Sequence, residues 1–279
     1  MSDVCSDPPC GADLAPILAP ILAARNVTMQ FGGLKAVDQF SLSLMAEELV
    51  GLIGPNGAGK TTLFNVLTGV YKPTSGEVRL QGVDVRPLKP YQISHLGLSR
   101  TFQNIRLFRE LTVLDNVLIA SKQHSSHNML DSVLRDDRHE REEARLKTRA
   151  LELLQIFSLE HKAQFPSSSL PYGEQRKLEI VRALATGPKV LLLDEPAAGM
   201  NHRETESLME TIAKIRKQFN LTVLLIEHDM KLVMGICERI LVLDHGVTIS
   251  QGTPEFIRKD PKVIAAYLGA PVEEGGAHV

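Results

Sequence analysis

Eight consecutive residues near the start of the chain have the composition of a loop that binds phosphate groups. Residues 54–61 read Gly-Pro-Asn-Gly-Ala-Gly-Lys-Thr and fit the pattern GxxxxGK[ST] in full. The glycines allow backbone N–H groups to surround phosphate oxygens, and a helix that follows turns its positive end toward the same oxygens. In this pattern Lys60 reaches the β and γ phosphates, while the Thr61 hydroxyl binds Mg²⁺. The predicted contacts to ATP are Gly54, Pro55, Asn56, Gly57, Ala58, Gly59, Lys60, Thr61 and Thr62.

A pair of carboxylates farther along the chain could supply the remaining chemistry of phosphate hydrolysis. Asp194 and Glu195 directly follow Leu191–Leu193, an apolar run that suits the end of a buried strand. Because adjacent side chains diverge, we expect the two acids to have separate tasks. Asp194 would hold the metal and Glu195 would polarise the attacking water. An acid pair after a strand is more often a helix cap or a surface turn, but the phosphate loop favours the catalytic interpretation.

The residues around the phosphate loop predict a strand before it and a helix after it. Leu49–Ile53 is a short apolar run suited to a buried parallel strand, and Gly69 can end the helix. Residues 27–44 alternate in short segments around a Gly-Gly turn, which is typical of a small antiparallel sheet. Residues 77–80, bounded by glycines, indicate another such strand.

The rest of the chain changes from a helical pattern to alternating strands and helices. From about residue 105 to 165 the pattern is helical, with one apolar stripe formed by Leu146, Ala150, Leu153, Leu154 and Phe157. After Pro188 the pattern predicts a helix at 202–219, a final helix that begins at Thr253, and strands at 190–193, 221–226, 239–243 and 247–250.

These elements predict an α/β fold: a P-loop NTPase core with a mostly parallel sheet, an antiparallel β subdomain and an inserted helical subdomain. We expect residues 1–20 to be a flexible N-terminal extension and residues 21–279 to form one ATPase domain. Within that domain, 21–103 and 175–270 would form the nucleotide-binding core, and about 104–174 the helical subdomain.

Composition excludes several other classes of protein. The net charge of −2 gives no support to a nucleic-acid-binding surface, which would require a basic domain. Three scattered cysteines are too few for a disulfide framework. No apolar run reaches the roughly 18 residues that a membrane-spanning helix requires. Any role at a membrane is therefore expected to depend on partner proteins.

The order of five motifs resembles the ATP-binding cassette (ABC) family. The phosphate loop is followed by Gln103, then by residues 170–175, the acid pair and His228. The resemblance implies that two cassettes close head to tail over two ATP molecules. It implies that Gln103 contacts Mg²⁺ and the attacking water and senses a membrane subunit, and that His228 contacts the γ-phosphate. The expected catalytic residues are Glu195, His228, Lys60 and Gln103, and the expected metal ligands are Thr61, Gln103 and Asp194.

Phe31 lies before the first glycines at the spacing of the aromatic residue that stacks on adenine in this family. The alternative for Phe31 is a residue in the core of a strand.

The signature motif of the family departs here from its usual Leu-Ser-Gly-Gly-Gln. The corresponding residues, which the resemblance predicts to face the partner's ATP, are Leu170, Pro171, Tyr172, Gly173 and Glu174, followed by Gln175. Without the serine hydroxyl, the backbone and the N-terminus of the following helix would have to contact the γ-phosphate. Asn201 is a second departure, since many relatives have Asp at this position.

These departures, together with four segments of the sequence, resemble the ATPases of branched-chain amino acid importers (LivG type). The segments are 197–201, 227–230, 31–37 and 266–269. The resemblance implies a second ABC ATPase (a paralogue or a second copy), two transmembrane permease subunits and an extracytoplasmic solute-binding protein. It also implies a peripheral location on the cytoplasmic face of the bacterial inner membrane. Nothing in the chemistry of these residues recognises leucine or valine.

Several alternatives share parts of this chemistry. A relative that powers lipid or lipopolysaccharide export, or import of another small amphipathic or amide solute, would carry the same motifs. A P-loop kinase would need a phosphoacceptor site and a lid. A cassette protein of DNA repair or translation would usually show a long coiled coil or two cassettes in tandem, and a non-enzymatic regulator would lack Glu195.

Four apolar residues just after Gln103 are candidates for a surface that docks on the permeases. They are Leu107, Phe108, Leu111 and Val113. For each of them, the alternative is a place in the core of the helical subdomain.

Overall fold

The computed structural model describes residues 19–122 and 137–268. Within these residues the strands are β1 (Leu22–Phe31), β2 (Leu34–Leu44), β3 (Leu49–Ile53), β4 (Ser75–Leu80), β5 (Val83–Asp84), β6 (Leu98–Arg100), β7 (Val190–Asp194), β8 (Thr222–Ile226), β9 (Arg239–Asp244) and β10 (Val247–Gly252). The α-helices are α1 (Lys60–Leu67), α2 (Pro90–His95), α3 (Val113–Ser121), α4 (Asp137–Ile156), α5 (Tyr172–Ala185), α6 (His202–Gln218), α7 (Met230–Ile236), α8 (Pro254–Lys259) and α9 (Pro261–Leu268).

The strands form two sheets of different character. One is antiparallel, with the order β2-β1-β4-β5. The other has the order β10-β9-β3-β8-β7-β6 and is parallel except for β10 at its edge. Every residue of β3, β7 and β8 is buried, as expected of parallel strands that are covered on both faces. The predicted mostly parallel core with an antiparallel β subdomain is confirmed.

Two hydrophobic clusters cover the two faces of the parallel sheet. Because successive side chains of a strand point to opposite faces, Leu49 and Ile53 of β3 join one cluster while Val50 and Leu52 join the other. The first cluster includes residues of α3 to α7, and the second includes α1 and the antiparallel sheet. The predicted stripe on α4 contributes to the first cluster through Ala150, Leu153 and Leu154, with Phe157 just beyond the helix.

The loops that follow β3, β7 and β8 carry the phosphate loop, the acid pair and His228. These strands are adjacent and parallel, since β3 pairs with β8 and β8 with β7. Their carboxyl ends therefore open on the same edge of the sheet, which is where open α/β folds bind ligands. This topology brings together motifs that lie far apart in the sequence.

Two predictions of local structure were incomplete or wrong. The first strand begins at Leu22 rather than Val27, because it pairs with both β2 and β4 from its first residue. Val113 is fully buried in the core, so it cannot belong to an exposed docking surface. Phe108 is exposed, and Leu107 packs partly buried against the core. The boundaries at residues 104 and 174 stay predictions, and the expected extension at 1–20 lies almost entirely outside the described residues.

Candidate active site

The phosphate loop has a backbone that requires glycine at its two ends. Gly59 caps the N-terminus of α1 with a φ of 100°, in the left-handed region, and a side chain there would collide with the carbonyl oxygen of Ala36. At Gly54 a side chain would collide with the carbonyl oxygen of Leu243. The loop is thus fitted tightly against β2 and β9, with the N-terminus of α1 directed into it.

Lys60 is engaged by the phosphate loop itself. Its ammonium group donates hydrogen bonds to the carbonyl oxygens of Gly54 at 2.7 Å and Pro55 at 2.9 Å, and the residue is only 8% exposed. Burial lowers the pKa of Lys60, while the nearby charges of Glu195 and Asp194 act in the opposite direction. The cation is therefore already in position beside the acid pair, and phosphate oxygens could replace the two carbonyls.

A cavity of about 560 Å³ lies over the phosphate loop, a size within the usual range for small-molecule sites. It brings together Phe31, Gln103 and Glu195 with most of the loop. The other lining residues are Leu34, Lys35, Ala36, Asn56, Gly57, Ala58, Gly59, Lys60, Thr61, Thr62 and His245. Four features predicted for the site thus share one cavity: Phe31, the phosphate loop, Gln103 and Glu195.

Phe31 lies at the mouth of this cavity and is not a residue of the strand core. It is 43% exposed, and its ring meets that of Tyr71 edge to face with centroids 5.3 Å apart. An exposed aromatic face beside a phosphate loop is suited to a planar heterocycle. The alternative interpretation, a core residue, is wrong.

Glu195 is held at the end of β7 in an uncommon backbone conformation. Its φ is 47°, in the left-handed region that a non-glycine residue rarely occupies. Its N–H donates to the carbonyl oxygen of Ile226 at 2.9 Å. Its carboxylate accepts a hydrogen bond of 3.0 Å from the side-chain amide of Gln103. Two predicted catalytic residues are therefore in direct contact.

Asp194 is buried and paired with an arginine that sequence analysis did not identify. The Arg100 guanidinium donates to the Asp194 carboxylate at 2.7 Å and to the side-chain oxygen of Asn65 at 2.6 Å. The side chains of Arg100 and Asp194 are 6% and 1% exposed. Burial raises the pKa of Asp194, and the hydrogen bond and charge of Arg100 oppose this effect. Arg100 is the last residue of the short strand β6, which reads Leu-Ser-Arg, so no local pattern in the sequence singled it out.

His228 follows β8 beside a second buried carboxylate, Glu227. Glu227 is 2% exposed and accepts hydrogen bonds from the backbone N–H groups of Ala197 at 3.0 Å and His228 at 3.3 Å. Burial raises the pKa of Glu227. The His228 side chain is 62% exposed. Among the described residues, those that line the cavity over the phosphate loop do not include His228. The structure therefore leaves its contact with the γ-phosphate a prediction.

The signature residues lie apart from the phosphate loop of their own chain. Tyr172 begins α5, with Pro171 at its N-cap, and Leu170 is buried beneath it. Glu174 forms an ion pair of 2.6 Å with Lys162. None of these residues, all within the described chain, lines the cavity. The predicted contact of this segment with the ATP of a partner chain stays a prediction.

The second departure from the family pattern has a local explanation. Asn201 caps α6: its side chain accepts a hydrogen bond from the N–H of Glu204, and the Glu204 carboxylate accepts one from the N–H of Asn201. Asn and Asp cap helices about equally well. The substitution therefore preserves the start of α6.

Comparisons with known proteins identify the family of the chain. The family described as "ABC transporter" matches residues 37–198, and the family described as "Branched-chain amino acid ATP-binding cassette transporter" matches residues 247–273. The high-affinity branched-chain amino acid transport ATP-binding protein LivG of Salmonella typhimurium is 49% identical, over 90% of this chain and 98% of that protein.

Solved structures show the same fold. A nucleotide-free ATP-binding cassette from an ABC transporter superposes with a TM-score of 0.77 at 30% identity, over 89% of this chain and 99% of that one. The dimeric structure of MJ0796, a bacterial ABC transporter cassette, gives a TM-score of 0.72 at 26% identity, over 84% and 98% of the two chains.

Proposed function

The chain belongs to the ABC transporter family, and from that premise we propose that it hydrolyses ATP to power the uptake of branched-chain amino acids. It is a P-loop transport ATPase. The family of branched-chain amino acid ATP-binding cassette transporters also matches its C-terminal segment, residues 247–273. The observation that carries the proposal is the shared cavity in which the phosphate loop, Gln103 and Glu195 meet.

We propose the following roles for the residues of that cavity. The phosphates of ATP bind the N–H groups of residues 54–62, and the Lys60 ammonium moves from its two carbonyl partners to the β and γ phosphates. Glu195 accepts a proton from the water that attacks the γ-phosphate, and Gln103 orients the carboxylate. His228 contacts the γ-phosphate, and Phe31 stacks on adenine.

The residues present fit a magnesium ion that is shared with the nucleotide. No cluster of three or more His, Cys, Asp or Glu side chains within the described residues could hold a metal by itself. Mg²⁺ commonly binds one carboxylate together with hydroxyl groups, waters and substrate phosphates. Thr61 and the Gln103 side chain line the cavity, and Asp194, which is buried and paired with Arg100, would supply the carboxylate. When bound, the ion would neutralise charge on the phosphates.

We infer that ATP is enclosed between two cassettes. The signature segment lies away from the cavity of its own chain, as a segment that contacts a partner's ATP would. Pro171 has no N–H, so the donors to the partner's γ-phosphate would be the N–H groups of Gly173 and the residues just after it. The second cassette is either another copy of this chain or a paralogue.

The proposed assembly adds two permease subunits and an extracytoplasmic binding protein. None of the helices in residues 19–122 and 137–268 is long and apolar enough to cross a membrane. We propose that in this assembly the chain binds the cytoplasmic face of the membrane peripherally. Phe108 is the exposed candidate for this contact, and Leu107 and Leu111 are partly exposed.

Co-purification tests the proposal. We expect the chain to appear in the soluble fraction when expressed alone and in the membrane fraction when expressed with its permeases. The purified assembly in vesicles should hydrolyse ATP faster when its binding protein carries leucine, isoleucine or valine. If only a lipid or a different amide solute stimulated ATP hydrolysis, the assignment to branched-chain amino acids would be wrong.

A charged substitution on the proposed docking surface provides a sharper version of this test. Phe108→Glu should reduce recovery of the chain with the permeases. Phe256→Glu, at an exposed position of α8, should not. Equal recovery of both variants would contradict the docking role of Phe108.

A further inference from the structure

Tyr172 occupies a signature position at which the usual family pattern has glycine, and its side chain contacts other parts of the same chain. Its ring lies against Gly199, in the turn after Glu195, where an added Cβ would be 2.8 Å from the ring. Gly199 has a φ of 76°, so its backbone also favours glycine. The ring thus fills the space that Gly199 leaves open.

The Tyr172 hydroxyl meets a buried arginine one turn along α5. Arg176 is 3% exposed, and its Nε and Nη2 atoms donate to the Tyr172 hydroxyl at 3.1 and 2.8 Å. The guanidinium also lies near the tyrosine ring, 5.3 Å from its centroid. Tyr172 and Arg176 therefore form a single contact unit at the start of the signature helix.

Arg176 joins this unit to the segment that carries Gln103. Its Nη1 donates to the carbonyl oxygen of Phe102 at 2.8 Å, and its Nη2 donates to the carbonyl oxygen of Gln103. Glu179 accepts a further hydrogen bond of 3.4 Å from the same guanidinium. The planar guanidinium can bind the hydroxyl and both carbonyls at once, which the ammonium of a lysine cannot do in one geometry.

We propose that Tyr172 and Arg176 are positioning residues for hydrolysis, which set the location of Gln103 relative to Glu195. The signature helix, the backbone at residues 102–103 and the turn at Gly199 are held together through these two side chains. A displacement of the signature helix is thereby transmitted to Gln103, and from Gln103 to the carboxylate it contacts. The inference rests on the proposed ATPase function and assigns the tyrosine hydroxyl a role within its own chain.

The test compares Tyr172→Phe, Arg176→Lys and the double variant, each in the full chain within the purified transporter assembly. Tyr172→Phe keeps the ring against Gly199 and removes only the hydroxyl. We expect kcat to fall on the order of tenfold, the effect of losing one hydrogen bond to a charged group. The KM for ATP and the Kd of Mg-ATP should stay within about twofold, since neither side chain lines the phosphate cavity of its own chain.

Arg176→Lys should lower kcat at least as much, because it weakens the contacts to both carbonyls. The double variant should be no slower than Arg176→Lys alone, since the hydroxyl acts through the arginine. Tyr91→Phe, which removes the hydroxyl of an exposed tyrosine on α2, is the matched control and should leave kcat unchanged.

Wild-type kcat in Tyr172→Phe, or losses that multiply in the double variant, would overturn the inference. Equal losses of ATP affinity and turnover would also overturn it, because they indicate general damage to the fold. If the wild-type assembly failed to hydrolyse ATP, the proposed function itself would be wrong. A wild-type assembly that is active, with Tyr172→Phe equally active, would reject only the positioning role.

Discussion

The side-chain amide of Gln103 donates a hydrogen bond of 3.0 Å to the carboxylate of Glu195, although 92 residues separate the two in the sequence. Gln103 follows β6 and Glu195 follows β7, and these strands are parallel neighbours. The contact links the predicted general base to a loop that leads into the helical part of the chain. Glu195 is thus in contact with a residue at the start of that loop.

We expect Glu195→Gln to retain ATP binding and to slow hydrolysis by roughly 10²–10⁴-fold, the range attributed to a general base. Glutamine keeps an oxygen that can accept the hydrogen bond from Gln103, so the local geometry should survive. Because ATP then persists, closed dimers should accumulate with Mg-ATP and disperse with ADP, as measured by size exclusion with and without the second cassette.

Glu210→Gln, at an exposed position of α6, is the matched control for this charge removal. An unchanged molecular mass of Glu195→Gln in Mg-ATP would count against either the role of Glu195 or the enclosed dimer.

Lys60→Ala should abolish ATP binding or turnover. The ammonium is buried in the phosphate loop, where it would be the fixed countercharge for the phosphates of ATP. Fluorescent-nucleotide titration and phosphate release measure the two effects. Lys214→Ala, at an exposed lysine of α6, should behave like the wild type. Normal ATP hydrolysis by Lys60→Ala would mean that the assignment of the ATP site to the phosphate loop is wrong.

Arg100→Met should lower the free energy of unfolding by about 3–5 kcal/mol, because it leaves the buried Asp194 carboxylate without its cation. Combining it with Asp194→Asn should recover part of the loss, since no buried charge then remains unpaired. Urea unfolding without nucleotide measures both.

Arg79→Met breaks an exposed ion pair with Glu77 and serves as the control, with an expected change within about 1 kcal/mol. If Arg100→Met lowered the free energy of unfolding no more than Arg79→Met does, the ion pair between Arg100 and Asp194 would not contribute to stability.

Gly173→Val should retain ATP binding at the phosphate loop but lose turnover and dimer closure. Gly173 has no left-handed φ, and an added Cβ would meet its nearest atom, in Glu204, at an ordinary 3.7 Å. The valine should therefore fit within its own chain and obstruct only the approach of a partner's ATP. Nucleotide titration, ATPase rate and size exclusion separate these effects.

Gly235→Val places the same side chain in open space on α7 and should remain active. Normal turnover by Gly173→Val would mean that the signature segment does not face ATP in trans.

The chemistry of the site was predictable from the sequence because its motifs are local. The phosphate loop needs glycines at fixed offsets from Lys60, and the acid pair needs only a buried strand before it. The same holds for the buried strands β3, β7 and β8, whose mostly apolar residues indicate burial on both faces. Local rules of this kind determined the fold class, the phosphate loop and the acid pair, whereas the roles of Gln103, His228 and the signature residues were assigned through the family resemblance.

Tertiary structure decided which distant side chains meet, because local sequence patterns do not determine strand order or helix packing. Arg100 pairs with Asp194 because β6 lies beside β7, and Val113 is buried because α3 packs against α5. The same packing places Arg176 against the carbonyl oxygens of Phe102 and Gln103. Each contact depends on the register between elements, which is set by the shape of the whole core rather than by the residues beside it.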